Sequence, residues 1–429
     1  MVVYLLCYAA AFLLAESGAY VLSGLGLLAA AVYLYVQDYR ASGNMLHLRA
    51  VYSLAFVGGQ GLACMKLSWL SSDWSVMTWL SLLAAYAGFY GVFSFLKSGD
   101  KPEGRRQLRR PNLRRTAPAV FFCACAVTAV SVGCFAAEAA VLGFLPLLVR
   151  GVPHAYSEFH VTGIHYFTVS CVLVPALSVI FFCIDRGKSR GKTILLILMD
   201  AAALAVPILC VSRFQLLFAV FLAVLTYLQM EERLNLFYAG AAVAALIPLY
   251  LLLTVARSHD VEYLNAVFEM KWEDMPIFIT QPYMYISNNY DNFDLLVKGI
   301  EEFTLGRKML TPLWTLSGLK FLFPSLMAAP VFVTRQELTT LTLYYDAYCD
   351  FGLVGVLLFS CLLGAISYWL MQRIRQAKNP MTYLLYAQIT VYLLLSFFTT
   401  WFSNPTTWFY LAATGAMAFL VHVVGGRQI

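Results

Sequence analysis

Apolar runs long enough to cross a bilayer, joined by short turns, recur along this chain from Val2 to Val424. No other feature restricts its fold as much. A bilayer core takes about 20 apolar residues per helix, within a range of about 17 to 25. Lipid offers backbone groups no hydrogen-bond partner, so a spanning segment must be a helix or part of a closed barrel. On that ruler there are twelve spans, near residues 2–15, 18–36, 50–66, 75–96, 118–137, 161–184, 193–210, 213–230, 236–256, 351–371, 381–402 and 407–424. With 61% hydrophobic and 12% charged residues and a mean hydropathy of +0.73, a soluble domain is excluded. The expected fold is all-α: a polytopic membrane bundle of about twelve helices. It divides into nine spans over 1–256, one long segment outside the membrane over 257–350, and three spans over 351–429.

The first two spans need separating, because Val2 to Val36 carries Glu16 as its one charge. As a single helix this run would be about 50 Å long, against a core of about 30 Å. A turn at Glu16-Ser17-Gly18 is therefore expected. No basic stretch precedes the first run and no small-residue cleavage pattern follows it, so no removable signal peptide is expected.

Lysines and arginines concentrate in cytoplasmic loops. The densest cluster is Lys97, Lys101, Arg105, Arg106, Arg109, Arg110, Arg114 and Arg115, which places that loop inside, with anionic headgroups as its natural contact. Twelve alternating spans then put on the same side Arg40, Arg49, Arg186, Lys188, Arg190, Lys192, Arg233, Arg373, Arg375, Lys378 and Arg427. That gives 19 of the 29 basic residues. Both termini are expected in the cytoplasm and residues 257–350 outside. Residues 309–333 are apolar enough to suggest a thirteenth span, but Pro312, Gly318, Lys320, Pro324 and Pro330 interrupt them. Proline removes a helix hydrogen bond, and another crossing would turn Arg373, Arg375 and Lys378 outward. A re-entrant or interfacial segment is expected.

Within 257–350, Tyr283, Ile286, Tyr290, Phe293, Val297 and Ile300 recur at steps of three and four, the spacing of one helix face. Between them stand Asn288, Asn289, Asp291, Asn292, Asp294, Lys298, Glu301 and Glu302, read as a polar face open to water or sugar. The segment holds seven basic and twelve acidic residues. An acidic, tyrosine-rich surface suits carbohydrate hydroxyls, and it lacks the basic footprint that nucleic acid needs. The ten cysteines sit mostly in spans and imply no disulfide framework. His154, His160 and His165 are scattered, His259 stands alone beside Asp260, and no zinc spacing is present, so neither a metal nor a cofactor is expected. Asp350-Phe351-Gly352 matches the magnesium triplet of kinases in letters alone, because the upstream kinase motifs are missing. Asp350 is instead expected to cap the following helix, and Gly352 and Gly355 to allow close helix contact. Asp200, inside a span, is expected to pair with a basic residue from another span or to hydrogen-bond a backbone group.

The run Tyr348-Cys349-Asp350-Phe351-Gly352-Leu353-Val354-Gly355, closing a long outer segment after about nine spans, resembles the bacterial oligosaccharide repeat unit polymerases. Gly143-Phe144-Leu145-Pro146-Leu147-Leu148, at the exit of the fifth span, is similar to a step at which that family places an outer loop. Ser212-Arg213 is similar to a Ser-Arg step shared with O-antigen polymerases and ligases. The likeness covers roughly residues 117–402. It implies a glycosyltransferase of surface polysaccharide (O-antigen or capsule) synthesis in the cytoplasmic (inner) membrane of a bacterium. A glycan on a polyprenyl diphosphate such as undecaprenyl diphosphate would pass to a hydroxyl of a second lipid-linked repeat unit. The partners implied are that lipid-linked oligosaccharide and membrane lipids, with a chain-length regulator and a flippase as candidate protein partners.

Such a transfer needs fixed cations for the leaving diphosphate and an acceptor for the attacking hydroxyl's proton. Arg213, at the outer start of the eighth span, is the first cation candidate and Arg257 the second; the alternative for each is a snorkelling anchor. Arg150 and Arg335 are further candidates for holding substrate, with Tyr348 and Asp350 of the quoted run. His259 and Asp346 are candidates for the acceptor side. The rival readings are a flippase of the same lipid-linked sugar, set back by the lack of a convincing internal repeat and by few central charges, and a ligase that would share the arginines. A structural scaffold would leave the tyrosines and acids unexplained.

Overall fold

A computed structural model describes residues 1–99, 113–149, 155–186, 189–231, 261–272 and 274–426. Among these, eight helices are long and apolar enough to cross a membrane, so this is an all-α, multi-pass membrane protein. They are Tyr20–Ser42, Val76–Ser98, Leu113–Leu142, His165–Asp185, Arg190–Leu209, Arg213–Glu231, Tyr345–Ile374 and Pro405–Val424. Shorter apolar helices cover Val2–Glu16 and Met381–Leu394. The expected third span is a continuous run of Leu48–Tyr52, a π turn over Ser53–Val57, and Gly58–Cys64. The expected ninth span, 236–256, lies outside the described residues.

The first two helices part where the sequence places the turn, with Gly18 at φ +79°. The eleventh span differs from expectation. Its helix stops at Leu394, and the chain continues through turns to Trp401–Ser403. The carbonyls after that stop are used elsewhere: Ser396 O accepts from Leu343 N at 2.8 Å, and Phe397 O from Asn289 Nδ2 at 2.6 Å.

The chain forms two compact units. One comprises Met1–Arg106, Asp260–Gln372 and Tyr392–Trp408; the other comprises Gln107–His259, Arg373–Val391 and Phe409–Ile429. The first unit has an aromatic core in which several hydroxyls find partners inside the unit, while that of Tyr4 is buried with no hydrogen-bond partner among the described residues. Tyr52 Oη meets Tyr344 Oη at 2.7 Å, Tyr86 Oη meets Ser53 Oγ at 2.8 Å, and Tyr290 Oη donates to Phe56 O at 2.7 Å. Small residues let backbones touch here: a Cβ on Gly24 would collide with the Gly61 carbonyl, and one on Gly61 with that of Gly24. In the second unit, Tyr410 Oη donates to Val169 O at 3.0 Å, and Gln388 Nε2 to Thr414 Oγ1 at 2.9 Å.

Residues 309–333 do not span. They break into Thr311–Leu316, Leu319–Leu322 and Pro324–Met327, none long enough to cross. Leu313, Phe321, Leu322, Phe323 and Val331 are exposed, as a segment lying in the membrane interface requires.

Candidate functional site

The helix Ile277–Gly299 organises the first unit, and it corrects the reading of its polar face. Asn288, Asn289, Asp291, Asn292 and Asp294 do not meet water; all five are buried. A carboxamide both donates and accepts, so the asparagines hold the returning chain on one side. Asn292 Nδ2 donates to Leu338 O and Thr340 O at 2.9 and 3.0 Å, and Asn292 Oδ1 accepts from Thr334 N at 2.8 Å. Asn288 Oδ1 accepts from Thr334 Oγ1 at 2.7 Å, and Asn289 Oδ1 from Thr340 Oγ1 at 2.6 Å.

The aspartates hold the 66–78 segment on the other side. Asp291 accepts from Trp74 Nε1 at 2.8 Å and Ser71 Oγ at 3.0 Å, with the Lys66 ammonium at 3.8 Å. Asp294 accepts from Ser75 N and Thr78 Oγ1 at 2.8 and 2.7 Å, and pairs with Lys298 at 2.6 Å. Burial pushes the Asp291 carboxyl up to about 6, against the opposing pull of Lys66 and the Trp74 and Ser71 donors. Of the acids that suggested a sugar-facing surface, Asp291 and Asp294 are thus internal fastenings, while Asp274, Glu301, Glu302 and Glu337 are exposed.

The run that carries the family likeness is a broken helix. Tyr345–Ile374 is interrupted at Phe351 (φ −143°, ψ 16°) and Gly352 (φ 59°, ψ −146°). The Gly352 conformation is close to glycine-only, and a Cβ there would also lie 2.8 Å from the Phe303 ring. A Cβ on Gly355 would strike the Ala347 carbonyl across the break, so the close approaches at these glycines are to the Phe303 ring and across the helix's own break, in place of the contact between helices expected of them. Asp350 is buried and does not cap its own helix. The break turns its carboxylate onto the 304–311 turn, where it accepts from Met309 N at 2.7 Å, Lys308 N at 3.0 Å and Thr304 Oγ1. Tyr348 is buried, its ring edge-on to Phe293 at 5.4 Å and to Phe303 at 6.4 Å. Asp346 is buried as well, hydrogen-bonded with Thr400 and Ser403 and within electrostatic reach of Lys308.

Arg335 lies on the same unit's surface and pairs with Glu269. Arg150, Arg257 and His259 lie outside the described residues.

The second unit holds Arg213, the first residue of Arg213–Glu231. It is drawn in, at 7% exposure. The corner that sets it is strained: Val211, β-branched, takes φ +54°, a region that such residues rarely occupy. Ser212 N donates to Pro207 O at 2.8 Å and Ser212 O accepts from Leu216 N at 3.2 Å, which joins the two helices. Asp200 accepts from Ser178 Oγ at 2.7 Å, a side-chain hydroxyl in place of the basic residue or backbone group expected for it.

Sequence reasoning missed one cluster here. Glu138, 27 residues before His165, is fully buried. Its two oxygens each lie 3.2 Å from His165 Nδ1, and Oε1 accepts from Val161 N at 3.0 Å. The His160 ring stands 5.1 Å from that of His165. The histidines that looked scattered are thus partly assembled, His154 lying outside the described residues. A lone glutamate near a span's end was the available signal. Among the described residues no group of three or more His, Cys, Asp or Glu is arranged to hold a metal ion. Comparison of the chain with protein-family models, with curated protein sequences and with solved structures gives no match.

Proposed function

We propose that this protein polymerises polyprenyl-diphosphate-linked oligosaccharide repeat units at the outer face of a bacterial cytoplasmic membrane, with the lipid diphosphate as leaving group. The observation that carries the reading is the burial of Arg213. An arginine that only anchors a helix end reaches out to headgroups and water. Arg213 is instead 7% exposed, on a strained corner that fixes where its helix begins. A guanidinium held at the end of a span, outermost on the orientation given by the basic loops, suits a phosphate at headgroup level. In a partly dry site its charge stabilises the diphosphate as the glycosidic bond breaks.

In the first unit, Asp346, with Lys308 within electrostatic reach, supplies a buried carboxylate near the break of the 345–374 helix. A second reading has an observation in its favour: broken helices with charged neighbours also serve transporters of lipid-linked sugar. The two part on one experiment. The purified protein in liposomes receives a polyprenyl-diphosphate-linked repeat unit; a ladder of products spaced by one repeat supports polymerisation, and substrate crossing with no new glycosidic bond supports transport.

A further inference from the structure

We infer that His165, held by the buried Glu138, is the group that takes the proton from the attacking sugar hydroxyl, a role that rests on the polymerase reading. Glu138 has no exposure, and the partners found for its carboxylate are the Val161 amide and His165 Nδ1. A buried carboxylate is costly unless hydrogen-bonded, and both oxygens of this one lie 3.2 Å from the ring's Nδ1. An ionised carboxylate only accepts, so the ring proton sits on Nδ1 and Nε2 is left as a proton acceptor. The His165 side chain keeps 23% of its surface exposed while Glu138 keeps none, so the orienting group is enclosed and the oriented one is reachable. This is the relation between a base and the acid that fixes its tautomer in nucleophilic and acid–base catalysis.

The same corner of the unit carries Arg213. Leu147, just beyond the 117–142 helix that carries Glu138, packs against the Val211–Leu216 cluster on either side of Arg213. The chemistry balances. The acceptor hydroxyl oxygen bonds to the anomeric carbon while its proton passes to His165 Nε2. The bond from that carbon to the diphosphate oxygen breaks, and the lipid diphosphate leaves with the electron pair. The imidazolium then returns its proton to water. The groups bearing on the imidazole are Glu138 from the 117–142 helix and His160 from the preceding turn, with Cys210 of the 210–212 corner within electrostatic reach of Glu138.

The test uses lipid-linked repeat units extracted from a strain lacking this protein, mixed with the purified full-length chain in detergent micelles from pH 5 to 9. His165→Asn keeps a donor near the Nδ1 position for Glu138 and removes Nε2. Its kcat falls at least 100-fold with KM within about threefold, and the acid limb of the pH profile disappears. Glu138→Gln lowers kcat about 10-fold and moves that limb; His160→Asn stays within twofold of wild type. On unsubstituted protein, carbethoxylation of His165, located by mass spectrometry, abolishes the ladder, and prior substrate binding protects it. That second readout stands even where a variant does not fold. A wild-type ladder that survives His165→Asn, or His165 carbethoxylation without loss of ladder, overturns this role and leaves the polymerase reading. No ladder from wild type overturns both.

Discussion

The carboxylate of Asp294 accepts from Thr78 Oγ1 at 2.7 Å and from Ser75 N at 2.8 Å, so a residue 216 positions away fastens the start of the Val76–Ser98 helix. Ser75 supplies the local cap, its Oγ accepting from Thr78 N at 3.1 Å, and Asp294 places a negative charge at the same positive helix end. Removing the carboxylate takes an acceptor from the buried Thr78 hydroxyl and the half-buried Ser75 amide and loosens Lys298. Asp294→Ala is expected to destabilise by about 3 kcal/mol or more and Asp294→Asn by about 1–3 kcal/mol. Equilibrium unfolding of the detergent-solubilised protein measures both, and an Ala variant as stable as wild type would contradict this fastening.

The break at Gly352 yields a second expectation. Its backbone lies in a region where a side chain costs about 1–3 kcal/mol, and the Phe303 ring fills the space a Cβ would need. Gly352→Ala should lower the thermal midpoint. Gly415→Ala, in a helix and facing open space, should leave it unchanged or raise it. Equal effects at the two positions would mean that the break is not strained.

Stability should also respond to pH through Asp291. Its carboxyl, pushed up to about 6 by burial, binds a proton more tightly folded than unfolded, where the ordinary value is 3.8. Where the native state holds the extra proton, stability falls as pH rises. This group's contribution therefore favours the fold below about pH 4, is lost as pH climbs to about 6, and is flat above. Thermal midpoints of Asp291→Asn and wild type, compared from pH 4 to 8, should differ in slope within that window and run parallel above it. Parallel curves throughout would remove Asp291 as the source.

Most of the membrane architecture was legible because apolar runs of bilayer length have one soluble-to-lipid answer. The turn at Gly18 followed from the length of the Val2–Val36 run. The interruption of 309–333 followed from its prolines. The 277–299 helix was legible as a helix but not as a buried one. Asn and Asp at helical spacing read as a wet face, and what dries them is the pairing of Asn292 with 334–340 and of Asp291 with Trp74, contacts between segments far apart in sequence. Glu138 and His165 escaped notice for the same reason: 27 residues of intervening chain hide a 3.2 Å contact. The burial of Arg213, which bears most on function, depends on how neighbouring helices enclose the corner at Val211, and sequence periodicity does not report that.

On the proposed function, a new glycosidic bond forms while Arg213 grips the diphosphate. The purified protein, given a radiolabelled polyprenyl-diphosphate-linked repeat unit in liposomes, should produce a ladder spaced by one repeat. Arg213→Ala should lose it by 100-fold or more, the range of about 2.7–4 kcal/mol for a charge-stabilising group, and Arg213→Lys should retain part of it. A ladder undiminished in Arg213→Ala would contradict the role of the arginine. Labelled substrate crossing the bilayer with no new bond would contradict polymerisation and make this protein a transporter.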